Sequence, residues 1–206
     1  MRRRSQGSTR GEIDQRKKEI KREKILRASI ELFTQSGFDK TCIGDIAKRA
    51  DVATGTFYNF FRKKEDILLH FLDKEIEKSQ KEFERKVESK EEFFDKCELL
   101  FTAYTNRILR NKEFAKILFQ ERILHLGLKE SVNEIKWMDS FSQLIDEAKQ
   151  KNQIKNQLDA HRIAQIIFSI STMHSLYFLS GSIKTRKECV EKIMEAVRIV
   201  FYGFSA

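Results

Sequence analysis

Apolar residues recur every three to four positions along most of the chain, which is the spacing of one face of an α-helix. Gly37 follows the first of these stretches, where a left-handed residue would end a helix. The stretches cover residues 17–36, 43–50, 54–61, 63–90, 91–109, 114–126, 129–153, 159–180 and 185–202. We therefore expect an all-α protein whose second and third helices are short and joined by a tight turn, as in a helix-turn-helix.

The composition agrees with a helical fold. The 206 residues include 0 Pro and 8 Gly, which disfavours β folds that need frequent turns. The most apolar segment, residues 163–179, is interrupted by Gln165, His174 and several serines, and it is shorter than the ~20 apolar residues that span a membrane. Three cysteines without C-x-x-C spacing and an N-terminus without an apolar segment indicate a cytoplasmic protein with no membrane partner.

Positive charge is concentrated in the first third of the chain. Residues 1–66 hold 17 Lys and Arg against 10 Asp and Glu, out of totals of 40 and 31. Such an excess attracts phosphates, so this part of the chain is expected to meet a nucleic acid or an anionic membrane, unless the charge belongs to a solvated tail. Residues 1–16 lack apolar periodicity and are predicted to form a flexible basic arm, whose contact with DNA stays open.

The predicted helix-turn-helix carries polar side chains suited to DNA. Ala47 and Ala50 allow the second and third helices to approach closely, and Val52 fills the turn between them. Hydroxyl and amide groups bind base edges and phosphates, and a glycine lets the backbone approach DNA. Groups of these kinds are expected on the outer side of the third helix, at Thr54, Gly55, Thr56, Tyr58 and Asn59.

These residues resemble the DNA-binding domain of TetR/AcrR-type transcriptional regulators. The resemblance covers about residues 21–71 and departs from the family pattern at Asp51, where glycine is usual, and at Lys63, where a capping residue is usual. Asp tolerates the left-handed conformation better than most residues, so the first departure is expected to be accommodated. The matching residues are Thr41, Ile46, Ala47, Ala50, Val52, Gly55, Tyr58, Phe61, Lys64, Glu65 and Ile67.

The resemblance implies a homodimer that binds a palindromic double-stranded DNA operator and is released by a small-molecule effector. Residues 17–66 would form the helix-turn-helix DNA-binding domain, and residues 67–206 a helical bundle for ligand binding and dimerisation. Thr41, Tyr58 and Lys64 would contact phosphates, with a contribution from Lys48 and Arg49. By the same analogy the base readers would be Thr54, Thr56 and Asn59.

The second part of the chain offers candidates for ligand binding and dimerisation. Its aromatic residues favour a largely apolar effector, although each one alone suits a core. The candidate ligand contacts are Phe101, Tyr104, Trp137, Phe141, Phe168, Thr172 and Tyr177. The last two helices have broad apolar faces that one bundle does not cover, so we expect a dimer interface that includes Ile163, Ile167, Ile170, Ile193, Val197 and Val200.

No catalytic or cofactor motif stands out. The four histidines lack metal-ligand spacing, so neither a metal nor another cofactor is expected. Cys42 is expected to be buried. The main interpretation is a ligand-responsive repressor that is not an enzyme. The alternative is an effector-independent DNA-architectural or assembly protein of the same fold, which a filled C-terminal core would favour, whereas a deep polar pocket with titratable groups would favour an enzyme.

Overall fold

The computed structural model describes residues 10–124, 132–154 and 158–203, and all regular structure in these ranges is helical. This confirms the all-α prediction. The helices are α1 (Arg10–Ser36), α2 (Ile43–Arg49), α3 (Thr54–Tyr58), α4 (Glu65–Val87), α5 (Phe93–Ile108), α6 (Lys112–Leu124), α7 (Val132–Gln150), α8 (Ala160–Ser180) and α9 (Arg186–Tyr202).

The first compact unit ends at Leu68, two residues beyond the boundary expected from the sequence. Helix α2 packs against both α1 and α3. Gly37 ends α1 with a φ of 86°, as its position predicts, and its amide donates to the Phe33 oxygen at 3.0 Å. The core of this unit consists of Ile25, Leu26, Phe33, Phe38, Ile46, Ala47, Ala50, Phe57, Phe61, Ile67 and Leu68.

Both departures from the family pattern are accommodated locally. Asp51 adopts a φ of 55° in the turn after α2, so aspartate supplies the left-handed residue there, as expected. The Val52 amide then donates to the Ala47 oxygen at 3.0 Å and closes the turn. At the start of α4, the Asp66 carboxylate accepts from the amides of Arg62 and Lys63 at 2.9 and 3.3 Å, which holds the approach to the helix although Lys63 offers no side-chain cap to its first turn.

Helix α1 begins earlier than the sequence pattern predicts. The flexible arm expected over residues 1–16 is wrong for residues 10–16, which are helical and exposed. Glu, Gln, Arg and Lys are good helix formers without any apolar face, so hydrophobic periodicity does not reveal such a segment. Residues 1–9, including Arg2, Arg3 and Arg4, lie outside the described residues.

The second compact unit begins at Leu69 and is organised around α8, which packs against α6, α7 and α9. Helix α5 packs against α7 and α9. Helix α8 has the length and composition of a membrane-spanning helix, with a mean hydropathy of 1.3 over its most apolar window. It packs against three helices, and 39% of that window is buried. The buried core includes Phe93, Leu100, Phe101, Ile108, Trp137, Phe141, Ile145, Ile163, Ile167, Ile193, Val197 and Phe201.

Candidate DNA-reading surface and ligand cavity

Helix α3 has one buried and one exposed side. Phe57 and Phe61 lie in the core with ring centroids 5.8 Å apart and anchor the helix. On the other side, Tyr58 is 54% exposed although its ring meets Phe57 edge to face. The exposed residues, together with half-buried Thr56, form what we call the α3 surface: Thr54, Gly55, Thr56, Tyr58 and Asn59.

Gly55 is not required by the packing of the first unit. A Cβ atom added at this position meets nothing within 4 Å, and the residue lies inside α3. A helix with glycine at an interior position is less stable than one with alanine by roughly 0.5–1 kcal/mol. No steric conflict in the first unit explains why glycine occupies this position. The absence of a side chain is useful where a bound partner approaches the helix backbone closely.

Thr41 does not have the exposed position that a phosphate contact suggests. Its side chain is 4% exposed, and its hydroxyl donates to the Gly37 oxygen at 2.7 Å. A hydroxyl has a single proton, so this bond leaves none to donate to a phosphate. The structure therefore corrects the expectation for Thr41, whose hydroxyl instead stabilises the connection between α1 and α2.

Lys64 is also engaged within the protein. Its ammonium group donates to the backbone oxygens of Phe38 and Asp39 at 2.7 and 3.3 Å and lies 4.4 Å from the centroid of the Phe38 ring. These contacts hold the loop after α1 against the start of α4, and the phosphate contact expected of Lys64 stays a prediction. The exposed cations at this end of α4 are Arg62 and Lys63, to which the family resemblance assigned no phosphate contact.

The two cations of α2 are both exposed but differ in their contacts. Arg49 donates to the Glu31 carboxylate at 2.8 and 3.1 Å, so its charge is used inside the first unit. Lys48 is exposed and lines a shallow depression beside Lys40, which is exposed as well. The exposure of Lys48 is compatible with the predicted phosphate contact, and Lys40 is a second exposed cation at the same depression.

The second unit contains a largely apolar cavity of about 410 Å³. Residues from five helices line it, and polar groups occupy part of its wall. The lining residues are Leu72, Tyr104, Leu118, Phe119, Arg122, Ile123, Glu134, Met138, Gln165, Phe168, Ser169 and Thr172. A larger groove of about 710 Å³ in the same unit is lined mainly by charged and amide side chains and is less suited to an apolar ligand.

An ion pair forms the most polar part of the cavity wall. Arg122 on α6 donates to the Glu134 carboxylate on α7, and these side chains are 15% and 4% exposed. Burial raises the pKa of the neighbouring Tyr104 phenol, and the negative charge of Glu134 raises this pKa further, while Arg122 opposes the shift. Tyr104 therefore stays protonated at neutral pH and provides a neutral hydroxyl beside a charged pair.

The structure divides the predicted ligand contacts into three groups. Tyr104, Phe168 and Thr172 line the cavity. The Trp137 ring lies directly behind it, 5.8 Å from Tyr104 and 5.7 Å from Phe168 between ring centroids. Trp137 therefore does not line this cavity. The same holds for Phe101 and Phe141, which pack against Trp137 in the core, and for Tyr177, which lies exposed on the outside of α8, so ligand contacts at these four residues stay predictions.

Sequence reasoning missed the charged residues of the cavity. Arg122 and Glu134 belong to different helices in a chain that is 34% charged, so nothing in the local pattern pairs them. Gln165 and Ser169 are also in the lining and lie one turn apart on α8. Their position beside Phe168 in an otherwise apolar segment is the one signal that the sequence contains.

The predicted dimer residues are mostly part of the core of the second unit. Ile163, Ile167, Ile193 and Val197 are buried within the single chain because α8 and α9 pack against each other and against α5 and α7. These four do not lie at the surface, whereas Ile170 and Val200 are half-buried. The apolar side chains that remain exposed on these helices are Ile166, Met173, Tyr177, Ile199 and Tyr202, which we call the α8/α9 surface.

Comparison with known proteins relates both units to transcriptional regulators. Residues 25–71 match the family model of bacterial regulatory proteins of the tetR family. The fatty acid metabolism regulator protein of Bacillus subtilis (strain 168) is 27% identical over 147 residues, which are 70% of this chain and 76% of that protein. This second similarity extends well beyond the helix-turn-helix.

Solved structures share the fold over most of the chain. The FadR repressor of Thermus thermophilus, solved in complex with lauroyl-CoA, has a TM-score of 0.69 at 21% identity and covers 90% of this chain and 95% of its own. FadR from Bacillus subtilis, solved in complex with stearoyl-CoA, has a TM-score of 0.71 at 21% identity and covers 89% and 100%. At this level of identity the likeness establishes the fold.

Proposed function

Because the chain belongs to the TetR family of bacterial transcriptional regulators, we propose that it is a repressor that binds a palindromic operator as a homodimer and is released by a fatty acyl-CoA thioester. It acts in the cytoplasm, where its DNA target lies. The observation that carries the proposal is the α3 surface, which exposes hydroxyl, amide and bare backbone groups on a helix anchored by buried phenylalanines.

Within the proposal, each part of the first unit has a separate role on DNA. Thr54, Thr56 and Asn59 read base edges in the major groove, because hydroxyl and amide groups hydrogen-bond to the donors and acceptors displayed there. Tyr58, Lys48 and Lys63 bind phosphates and set the register of the helix. Gly55 lets the α3 backbone approach the DNA. In a dimer the two half-sites would lie ~10 bp or somewhat more apart.

Dimerisation is assigned to the second unit. The α8/α9 surface consists of apolar side chains on two neighbouring helices, and exposed apolar patches of this kind mark sites of protein association. A symmetric dimer places the same patch on both subunits, so four helices would meet at the contact. The half-buried residues Ile170 and Val200 lie on the same two helices and would contribute to its edge.

The effector assignment rests on the cavity and on the relatives. A volume of about 410 Å³ lies within the ~300–1,000 Å³ of typical small-ligand sites, and its aliphatic and aromatic wall suits an acyl chain. Arg122, Tyr104 and Gln165 offer hydrogen-bond donors to a polar head group. Related regulators act in fatty acid metabolism or have been solved with lauroyl-CoA and stearoyl-CoA.

Release from DNA would follow from a shift between two conformations that the effector binds with different affinity. Leu72 of α4 lines the cavity, and α4 begins at Glu65, two residues after the exposed cation Lys63. A ligand that displaces Leu72 moves part of the helix that follows the DNA-binding residues. The cavity also supports this function over the effector-independent architectural protein, which a filled core would have favoured.

The effector assignment is tested by the fluorescence of Trp137, the single tryptophan of the chain, whose ring lies 5.7 Å from Phe168. Lauroyl-CoA is titrated into the protein, and the anisotropy of a labelled operator duplex is followed in parallel. We expect a saturable change in Trp137 emission and release of the duplex at the same concentrations. Thr172→Phe, which narrows the cavity, should abolish both responses, whereas Ser180→Phe on the same helix should keep them.

Each unfavourable outcome identifies the part of the proposal that is wrong. A protein that binds its operator but responds to lauroyl-CoA in neither assay would contradict the acyl-CoA assignment and leave the DNA-binding function in place. An unchanged response in Thr172→Phe would place the effector outside the cavity.

A further inference from the structure

The first four turns of α1 extend beyond the core of the first unit. Helix α1 spans Arg10–Ser36, but its first buried residue is Ile25. An isolated helix of ~15 residues is only marginally stable in water, and it gains stability mainly by packing an apolar face. Residues 10–24 bury no side chain in the first unit, so this segment is expected to be held by a contact with a partner.

A crevice of about 560 Å³ lies between this segment and α3. Its α3 side is formed by Thr56, Asn59 and Phe60, and two of these residues belong to the α3 surface. Its α1 side is formed by Gln15, Lys18, Glu19, Lys21 and Arg22. We call residues 10–24 the α1 extension. It runs beside the residues that are proposed to read bases.

The charges on the α1 side of the crevice do not cancel. Glu19 pairs with Arg22 at 3.5 Å, and the Arg22 guanidinium lies 5.6 Å from the centroid of the Phe60 ring, which attaches the extension to the chain just after α3. Lys18 and Lys21 are exposed and have no ion pair with any described residue. Two lysines thus give the crevice a net positive charge, and a polyanion placed against α3 would meet both.

We propose that Lys18 and Lys21 bind phosphates of the DNA strand next to the bases read by α3, so that the α1 extension is a second DNA-binding element. This assignment rests on the proposed DNA-binding function and adds a site to it. Each lysine that neutralises a phosphate releases counterions from the duplex, so it increases the salt dependence of binding. The contact is independent of sequence and leaves base preference to α3.

The opposite side of the extension provides a matched control. Lys24 is also exposed on α1, but it lines a different crevice, which α1 forms with Arg49, Ala50 and Asp51. The variants Lys18→Gln, Lys21→Gln and Lys24→Gln are compared with the natural protein on a duplex recovered by selection from a random library. Affinity is measured between about 50 and 200 mM salt, and circular dichroism confirms that each variant is folded.

Lys18→Gln and Lys21→Gln should each lower the slope of log affinity against log salt by about 0.9, with base preference unchanged. Lys24→Gln should keep the natural slope. The role of the α1 extension is overturned if Lys18→Gln and Lys21→Gln keep the natural slope, or if all three variants lose the same amount of slope. Either result requires that the natural protein still binds its operator. If the natural protein itself binds no duplex, both this assignment and the proposed function are wrong.

Discussion

The ammonium group of Lys64 donates to the backbone oxygen of Phe38 at 2.7 Å and lies 4.4 Å from the centroid of the ring of the same residue. One side chain thus joins the loop after α1 to the start of α4 by a hydrogen bond and a cation–π contact. A lysine that family resemblance assigns to DNA is used in this chain to hold the first unit together.

Replacing Lys64 should therefore affect stability, whereas replacing its neighbour should affect DNA binding. Lys64→Met removes a charge-assisted hydrogen bond from a half-buried position, which should cost about 1–2 kcal/mol and lower the melting temperature. Lys63→Met changes an exposed cation and should leave the melting temperature unchanged while it lowers the salt slope of DNA binding by about 0.9. Thermal unfolding and salt-dependent anisotropy measure the two effects, and an inverted pattern would restore Lys64 as the phosphate ligand.

Gly55 and Gly44 provide a direct test of close backbone approach to DNA. Both residues are exposed helical glycines at which an added Cβ meets nothing within 4 Å. Alanine should therefore stabilise either helix by up to about 1 kcal/mol, measured by chemical denaturation. Gly55→Ala should nevertheless weaken operator binding at least tenfold, because its methyl group stands between α3 and the DNA, whereas Gly44→Ala should bind nearly as the natural protein does. Equal binding by both variants would show that α3 does not approach DNA at Gly55.

The α8/α9 surface predicts which apolar residue supports the dimer. Met173 is 48% exposed on α8, and Ile135 is 44% exposed on α7. Met173→Lys should produce monomers at micromolar concentration, because it places a charge in an apolar contact. Ile135→Lys makes the same kind of change outside the surface and should remain dimeric. Sedimentation velocity distinguishes monomers from dimers. If Ile135→Lys is monomeric and Met173→Lys is dimeric, the interface lies on α7 and not on the α8/α9 surface.

The three cysteines should react in two classes. Cys42 is exposed, contrary to the expectation of a buried thiol. Cys97 and Cys189 are buried. Burial raises the pKa of Cys97, and burial together with the charge of Glu188 raises the pKa of Cys189 to about 11. A raised pKa lowers the thiolate fraction at pH 8, and the thiolate is the reactive form.

A thiol-reactive disulfide reagent at pH 8 should therefore label one cysteine of the folded protein rapidly and all three after denaturation. Cys42→Ser should remove the rapid phase and leave the slow one. Rapid labelling that persists in Cys42→Ser would mean that Cys97 or Cys189 is accessible in the folded state.

Local patterns in the sequence predicted the helices and the turn, because these depend on neighbouring residues. Apolar periodicity located α8 and α9, Gly37 marked the end of α1, and Asp51 was expected in the left-handed conformation that it adopts. The α1 extension was missed because a charged helix without a packed face has no periodicity.

Contacts between distant segments were not predictable in the same way. Helix α8 is apolar on several sides, so its sequence does not separate Ile163 and Ile167, which pack inside the chain, from Met173, which stays exposed. The bonds of Thr41 and Lys64 go to backbone oxygens, which carry no mark in the sequence. Only the folded chain shows that these polar side chains already have partners.

The proposed function requires this protein to read a DNA sequence as a symmetric dimer through α3. Selection of bound duplexes from a random library at near-physiological salt tests this requirement, with the natural protein and Asn59→Ala compared side by side. We expect the natural protein to retain an inverted repeat and Asn59→Ala to relax the preference at one base pair of each half-site. If the protein retains duplexes without a common sequence and its affinity depends only on salt, it does not read sequence through α3, and an architectural DNA-binding protein is favoured.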